Sequence, residues 1–336
     1  MKSWMKKIAN GMRNVLYTVI PLFDDSRKEW FRKLTLLTAL FVFIGSSVYL
    51  LDSLVLQPNR VKTSTQTLRE WYRQDGDTTS DDVPDDGTVV YPEGMNESFR
   101  SLYRRNQDVR GWLTFKTTGS DLFGGAIDNP VVQASNNDYY LNRDFLKKID
   151  KAGSLYFDYR NDLSADGKNR NLVIYGHNLN SGLMFSRFNL LAKSNVDYAR
   201  RLTTLTLNTL YEQRTYKVFA VMVINANAKE EPVFNYIQTD FTDQEFTQFI
   251  EEIRKRSLYV FGDVDVTADD ELLTLSTCSN KRETHLKDGR TVIVARRVRR
   301  LENPQVDTSK TQINENVLMP RQWYIATGKE LPPAYQ

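Results

Sequence analysis

Glu271-Leu-Leu-Thr-Leu-Ser-Thr-Cys278 and Arg290-Thr-Val-Ile-Val-Ala295, joined by the loop Ser279 to Gly289, read as two antiparallel strands. Such a hairpin sets the last residue of one strand beside the first residue of the next, with the strands about 4.8 Å apart. The thiol of Cys278 is therefore expected to meet the guanidinium of Arg290 at one end of a sheet. Cys278 is the only cysteine in 336 residues, so an internal disulfide is excluded. Two readings of the thiol stay open, a buried small hydrophobe and a reactive group. His177, one of only two histidines, follows the strand-like run Asn171 to Tyr175 and can reach the same rim.

Outward from this hairpin the chain keeps the same texture of short strands broken by turns. Strands are expected at Trp112 to Lys116, Val131 to Ala134, Ser154 to Phe157, Asn171 to Tyr175, Thr203 to Leu207, Arg214 to Asn225, Leu272 to Ser276 and Thr291 to Val298. One helix, Asp243 to Arg256, carries Phe246, Phe249, Ile250 and Ile253 on one face. A second helical stretch, Glu93 to Asn106, has Asn96 as its N-cap. Many short strands with few helices and no internal repeat predict a mainly β fold: one closed or nearly closed barrel with a few peripheral helices.

Ahead of the barrel, Leu34 to Leu51 is an uncharged apolar run of 18 residues, which Ser53 to Leu56 can lengthen. At about 1.5 Å per residue it covers most of a hydrocarbon core of roughly 30 Å. Before it stand eight basic residues (Lys2, Lys6, Lys7, Arg13, Arg27, Lys28, Arg32, Lys33) against three acidic ones (Asp24, Asp25, Glu29). This excess predicts a single-pass anchor in the cell membrane with a cytoplasmic N-terminus and an extracellular remainder. Of the total charge of +3, the segment before Leu34 holds +5, which leaves −2 on the rest. The basic balance is a topology signal and gives no support to nucleic-acid binding. Trp4, Met5, Ile8, Met12, Val15 and Leu16 interleave with the cations, the pattern of an interfacial helix.

The expected organisation is a cytoplasmic segment 1–33, a transmembrane helix 34–54, a stalk and acidic spacer 55–90, a catalytic domain 91–302 and a tail 303–336. The spacer, Gln74 to Gly87, holds six aspartates and no cation. It cannot bury enough surface to offset its ordering entropy, and it lacks the ligand alternation of a calcium loop. The tail ends in Val317-Leu-Met-Pro-Arg-Gln-Trp-Tyr324, apolar enough to pack back on the domain.

Cys278, His177 and Arg290 match what thiol acyl transfer requires. A thiolate is the nucleophile, and both an imidazolium and a guanidinium favour the charged sulfur. The oxyanion of the tetrahedral intermediate needs donors, for which Arg290 and the backbone N–H of Ser279 are suited. A leaving amine takes up a proton and an incoming amine gives one up, both roles for a histidine. His285 and Arg282 lie in the loop after Cys278 and compete with His177 and Arg290, although Lys281 and Lys287 beside them mark an exposed connection. No metal site is expected, since one Cys and two His offer no ligand spacing.

Leu273-Thr-Leu-Ser-Thr-Cys278 resembles the TLxTC signature of sortases, Tyr175-Gly-His177-Asn178 their histidine loop, and Arg290-Thr-Val-Ile-Val-Ala295 the strand that opens with their arginine. The likeness extends through Val109-Arg-Gly-Trp-Leu113, Asn129-Pro-Val-Val-Gln133, Asn137-Asp-Tyr-Tyr-Leu-Asn142, Leu155-Tyr-Phe-Asp-Tyr-Arg-Asn161 and Gly182-Leu-Met-Phe185. Together these resemble class B sortases over roughly Glu93 to Leu301. The resemblance implies a cofactor-free cysteine transpeptidase with Cys278 as nucleophile, His177 as general acid and base, and Arg290 as stabiliser of oxyanion and substrate. It also implies that the Ser276 hydroxyl and the Thr277 main chain, with Ser279, lie near the bound peptide. Its partners would be surface proteins or pilins bearing a sorting signal, cleaved after a Thr, and an amine of a peptidoglycan precursor or a pilin lysine. The acidic residue that some class B members carry two positions after the cysteine is replaced here by Asn280. Two other readings stay open: a cysteine peptidase that releases the acyl group to water, and a membrane-tethered binding protein with a degenerate site.

Overall fold

In a computed structural model of the chain, residues 17–73, 87–115, 127–179, 184–193, 195–229, 232–278 and 284–336 are described. The amphipathic segment 1–16, spacer residues 74–86 and the loop residues 279–283, with Ser279, Asn280 and Arg282, lie outside the described residues. The chain divides into two compact units, Met1–Lys62 and Thr63–Gln336.

The first unit is dominated by helix α1 (Arg27–Leu51), whose N-cap Ser26 accepts a hydrogen bond from the N–H of Glu29. Its apolar side chains, among them Phe41, Val42, Phe43 and Val48, are exposed. The helix is long and apolar enough to cross a membrane, and its apolar window contributes nothing to a protein core. Thr35 and Thr38 turn their hydroxyls back onto the carbonyls of Phe31 and Leu34, so neither leaves a polar group unsatisfied in an apolar surrounding. A short π-helical turn, Asp52–Leu56, ends the apolar stretch, and helix α2 (Gln57–Arg73) follows.

The second unit is built on eight strands: β1 (Val109–Phe115), β2 (Ile127–Val132), β3 (Leu155–Phe157), β4 (Asn171–Tyr175), β5 (Thr204–Thr209), β6 (Gln213–Asn225), β8 (Leu272–Cys278) and β9 (Gly289–Arg297), with β7 (Tyr259–Phe261) apart. They close into a barrel in the order β1-β2-β3-β4-β8-β9-β6-β5. The pairs β2–β3 and β4–β8 are parallel and the others antiparallel. β7 pairs instead with β10 (Thr311–Ile313) in a separate two-stranded sheet.

Because successive side chains of a strand face opposite ways, each strand gives one set to the barrel interior and the other to its outer surface. Leu155 and Phe157, Leu172 and Ile174, Leu273 and Leu275, and Ile293 and Ala295 meet inside, and Phe185, Phe188 and Leu286 join the same cluster. β6 follows this rule only by means of a bulge between Val218 and Ala220. Val218 and Val221 thereby both join the interior cluster.

Two apolar clusters cover the outer surface. Helix α4 (Asp243–Arg256) lays Phe246, Phe249, Ile250 and Ile253 against Ala220, Met222, Leu272, Val292 and Val294. Its start is fixed by a capping box in which Thr242 and Glu245 exchange side-chain and backbone hydrogen bonds. The other cluster joins Leu68 of α2, Phe99, Leu102 of α3 (Arg100–Arg105), Trp112, Tyr140 and Tyr156. Here Tyr72 stacks on Trp112 with ring centroids 4.3 Å apart. Asn96 caps the turn before α3 by accepting from the N–H of Ser98. In the tail, Met319 is buried against the barrel interior, with Val317, Trp323 and Tyr324 beside it, the last two on helix α5 (Arg321–Thr327).

Candidate active site

The barrel order makes β4, β8 and β9 neighbours, and the register between them decides what meets at their ends. In β8–β9 Cys278 pairs with Arg290, as a hairpin requires. In the parallel pair β4–β8 Tyr175 stands opposite Ser276. The Gly176 N–H donates to the Ser276 carbonyl at 3.2 Å, so the pairing runs on past the strand end. Continued in step, it brings His177 level with Cys278. Cys278 and Arg290 thus pair across β8–β9, and the β4–β8 register, extended two residues past Tyr175, sets His177 on the other side of Cys278 in one row, with neighbouring strands about 4.8 Å apart. Cys278 shares its face with Thr274 and Ser276, the outer face, and its thiol is free and exposed.

Two glycines permit the histidine's position. A Cβ on Gly176 would come within 2.6 Å of both Leu155 and Phe185, so this residue of the Tyr175-Gly-His177 run has no room for a side chain. Gly153, at φ +59°, lets the segment Tyr140–Leu141 close over the imidazole; a Cβ there would meet the Leu141 and Tyr140 carbonyls at 2.6 and 2.8 Å and His177 Cδ2 at 3.0 Å. His177 Nε2 lies 2.5 Å from the Leu141 carbonyl oxygen. A carbonyl only accepts, so Nε2 carries the proton and Nδ1 is left for proton exchange.

Around the row stand buried polar groups. Tyr236 places its hydroxyl 3.0 Å from Ser276 Oγ. Burial pushes its phenol pKa up, against the opposing pull of Ser276 and Arg290. Tyr156 is raised strongly, first by burial and then by the charges of Cys278 and Asp138. Both phenols therefore stay protonated at neutral pH and sit within electrostatic reach of Cys278 and Arg290. Thr274 Oγ1 donates to Asn171 Oδ1 at 2.8 Å, and Asn171 Nδ2 donates to the Gln238 carbonyl at 2.9 Å, which straps the segment bearing Tyr236 to β4 and β8. Among the described residues Arg290 makes no ion pair, and its NH1 donates to the Gly289 carbonyl at 3.0 Å.

Of the residues expected from sequence, His177, Cys278, Arg290 and Ser276 gather on one face. Thr277 is buried and alternates to the interior side, which leaves its main chain at the row. Ser279 and Arg282 lie outside the described residues. The competing His285 is exposed, at φ +59°, one residue before the buried Leu286 that anchors the loop. Tyr236 and Gly153 carry no pattern in the sequence that marks them. Tyr156 and Leu141 fall within stretches that carry the class B resemblance, which gave neither residue a role.

The description "Sortase domain" matches residues 124–298. A sortase B of Staphylococcus aureus is 31% identical over 207 residues, 61% of this chain and 77% of the relative. A sortase B of Listeria monocytogenes is 29% identical over 221 residues, 63% of this chain and 82% of the relative. Among solved structures, a Staphylococcus aureus sortase B–substrate complex aligns with a TM-score of 0.55 at 26% identity, over 73% of this chain and 99% of that one. A Bacillus anthracis sortase B in complex with AAEK1 aligns with a TM-score of 0.54 at 29% identity, over 71% and 98%. With the domain matched from β2 to β9 and these relatives alike in sequence and fold, the chain belongs to the sortase family, within class B.

Proposed function

We propose that this protein is a membrane-anchored transpeptidase that joins a sorting-signal-bearing protein to an amine through a thioester on Cys278. The observation that carries the proposal is the pairing of Cys278 with Arg290 beside β4, whose register with β8, extended past Tyr175, brings His177 level with the thiol. The Cys278 thiolate attacks the carbonyl carbon of the substrate's Thr, and charge moves to the carbonyl oxygen, where Arg290 and the Ser279 N–H donate. The C–N bond breaks, the departing amine takes a proton from His177, and a thioester remains. An incoming amine gives a proton back to His177 and attacks the thioester. The C–S bond breaks and a new amide forms. Ser276, with Tyr236 on its hydroxyl, and the Thr277 main chain border the bound peptide, a reading supported by the likeness to the Staphylococcus aureus sortase B–substrate complex. The acceptor is an amine of a peptidoglycan cross-bridge or a pilin lysine. The Lys and Arg excess before Leu34 supports an anchor with the N-terminus in the cytoplasm and the barrel outside.

The test incubates residues 63 to 336 with a library of sorting peptides, with and without an amine acceptor. The expected result is a mass adduct on Cys278 that Cys278→Ala abolishes, and product that shifts from acid to amide as the amine is added. An adduct on another residue overturns the nucleophile, and acid product at every amine concentration favours the peptidase reading. Protease added outside wall-stripped cells should digest the domain beyond Leu56; full protection overturns the topology.

A further inference from the structure

We infer that Asp158 is a positioning residue that ties together the three segments carrying the groups around the catalytic row, an inference that rests on the function proposed above. Its side chain is fully buried and accepts five hydrogen bonds. Oδ1 takes the Arg160 N–H at 3.0 Å and Arg160 Nε at 2.8 Å. Oδ2 takes Arg160 NH2 at 2.8 Å, Tyr175 OH at 2.8 Å and Asn137 Nδ2 at 3.0 Å.

Each donor leads to the site by a short path. Tyr175 ends β4, two residues before His177. Asn137 opens the segment that ends in Leu141, whose carbonyl holds His177 Nε2. The same Arg160 NH2 donates to the Ile237 carbonyl at 2.9 Å, next to Tyr236, whose hydroxyl meets Ser276. One carboxylate thus fixes the strand of the histidine, the loop that sets its tautomer and the segment that braces the strand of the thiol. Burial raises its pKa, but the bonds from Arg160, Tyr175 and Asn137 outweigh this and hold it below the usual carboxylate range, so it is an anion whenever the enzyme works. With Arg160 as its counter-charge it exerts little net field on the thiol, and it acts by holding geometry.

Asp158→Asn tests this, because on either side the amide NH2 faces an Arg160 donor that cannot accept, and only the Tyr175 hydroxyl could turn to receive it. Tyr175→Phe deletes a single hydroxyl from the network and decides the matter if Asp158→Asn fails to fold. The control is Glu302→Gln, which cuts bonds to Arg296 and Lys217 in a charged cluster outside the row. The first readout is alkylation of Cys278 by iodoacetamide across pH, which requires no peptide. Loss of the Leu141 carbonyl disfavours the imidazolium, hence the thiolate. In Asp158→Asn the inflection should move to higher pH and the rate at neutral pH should fall about tenfold. The second is turnover of a cleaved sorting peptide, where kcat should drop about 10²-fold with KM changed much less, and Tyr175→Phe should show a smaller loss in the same direction. Parental alkylation profiles in folded Asp158→Asn and Tyr175→Phe overturn the inference, as does an equal effect from Glu302→Gln. Absence of peptide turnover in the parent, with the alkylation shift intact, refutes the proposed reaction and leaves the positioning role standing.

Discussion

In the proposed reaction the role of Arg290 rests on a single fork of hydrogen bonds. It opens β9 opposite Cys278, and among the described residues no carboxylate competes for it. Arg290→Lys keeps the charge and loses the planar donor pair, so kcat should fall on the order of 10²-fold while affinity for the peptide changes less. Steady-state kinetics check it, and a silent substitution would move the guanidinium role elsewhere. Gly153 answers to sterics: at φ +59° a Cβ would press on two carbonyls and on the imidazole of His177. Gly153→Ala should cost upwards of about 1 kcal/mol in stability from its backbone alone and lower kcat as the ring is displaced. Thermal unfolding and turnover measured together separate the two effects. The placement of Cys278 beside Arg290, and of His177 just past β4, was legible in the sequence because the composition of the strands marks where each ends. Tyr236 and Gly153 were not, because what makes them matter is a contact across the barrel that no local periodicity encodes.

At the scale of elements, alternation carried the reading. β4 and helix α4 fall at the expected bounds, β4 as a short apolar run buried on both faces and α4 by the spacing of the one face it buries. The bulge in β6 escaped it, because a run as apolar as Val218 to Ile224 reads the same with either face inward. β7 and β10 escaped it too, being three residues each, too short for any period to declare itself. Helix α4 shows how a local signal bears on the site. Its capping box at Thr242 and Glu245 fixes the helix start, which follows directly on the segment that carries Tyr236. Thr242→Ala should cost about 1 kcal/mol, the usual worth of an N-cap. In a domain of this size that is a fall in Tm of about 2–4 °C, with peptide turnover at 25 °C near parental. A fall in turnover at unchanged Tm would mean that the cap acts on the site and little on the fold.

For the whole molecule, the question is where the independently stable body begins. Composition placed the start of the globular part near Tyr91, after the acidic spacer, because nothing in Gln74 to Gly87 can hold a core together. The second compact unit starts at Thr63, and the end of α2 packs within it: Leu68 is buried, Tyr72 stacks on Trp112, and Arg69 pairs with Asp128 at 3.0 Å. Such packing is invisible in a sequence when the partner strand lies some forty residues away across a polar run. Burying one leucine is worth about 1.5–3 kcal/mol, and an aromatic stack adds about 0.5–1.5 kcal/mol. The partly buried ion pair adds less than either. A protein that begins at residue 63 should therefore unfold about 5–10 °C above one that begins at residue 91. Both should turn over a sorting peptide, since every member of the row lies beyond residue 170. Equal Tm values would show that α2 contributes nothing to the barrel's stability. Loss of folding in the shorter protein would make α2 an integral part of the domain, with the spacer an insertion between α2 and the strand it covers.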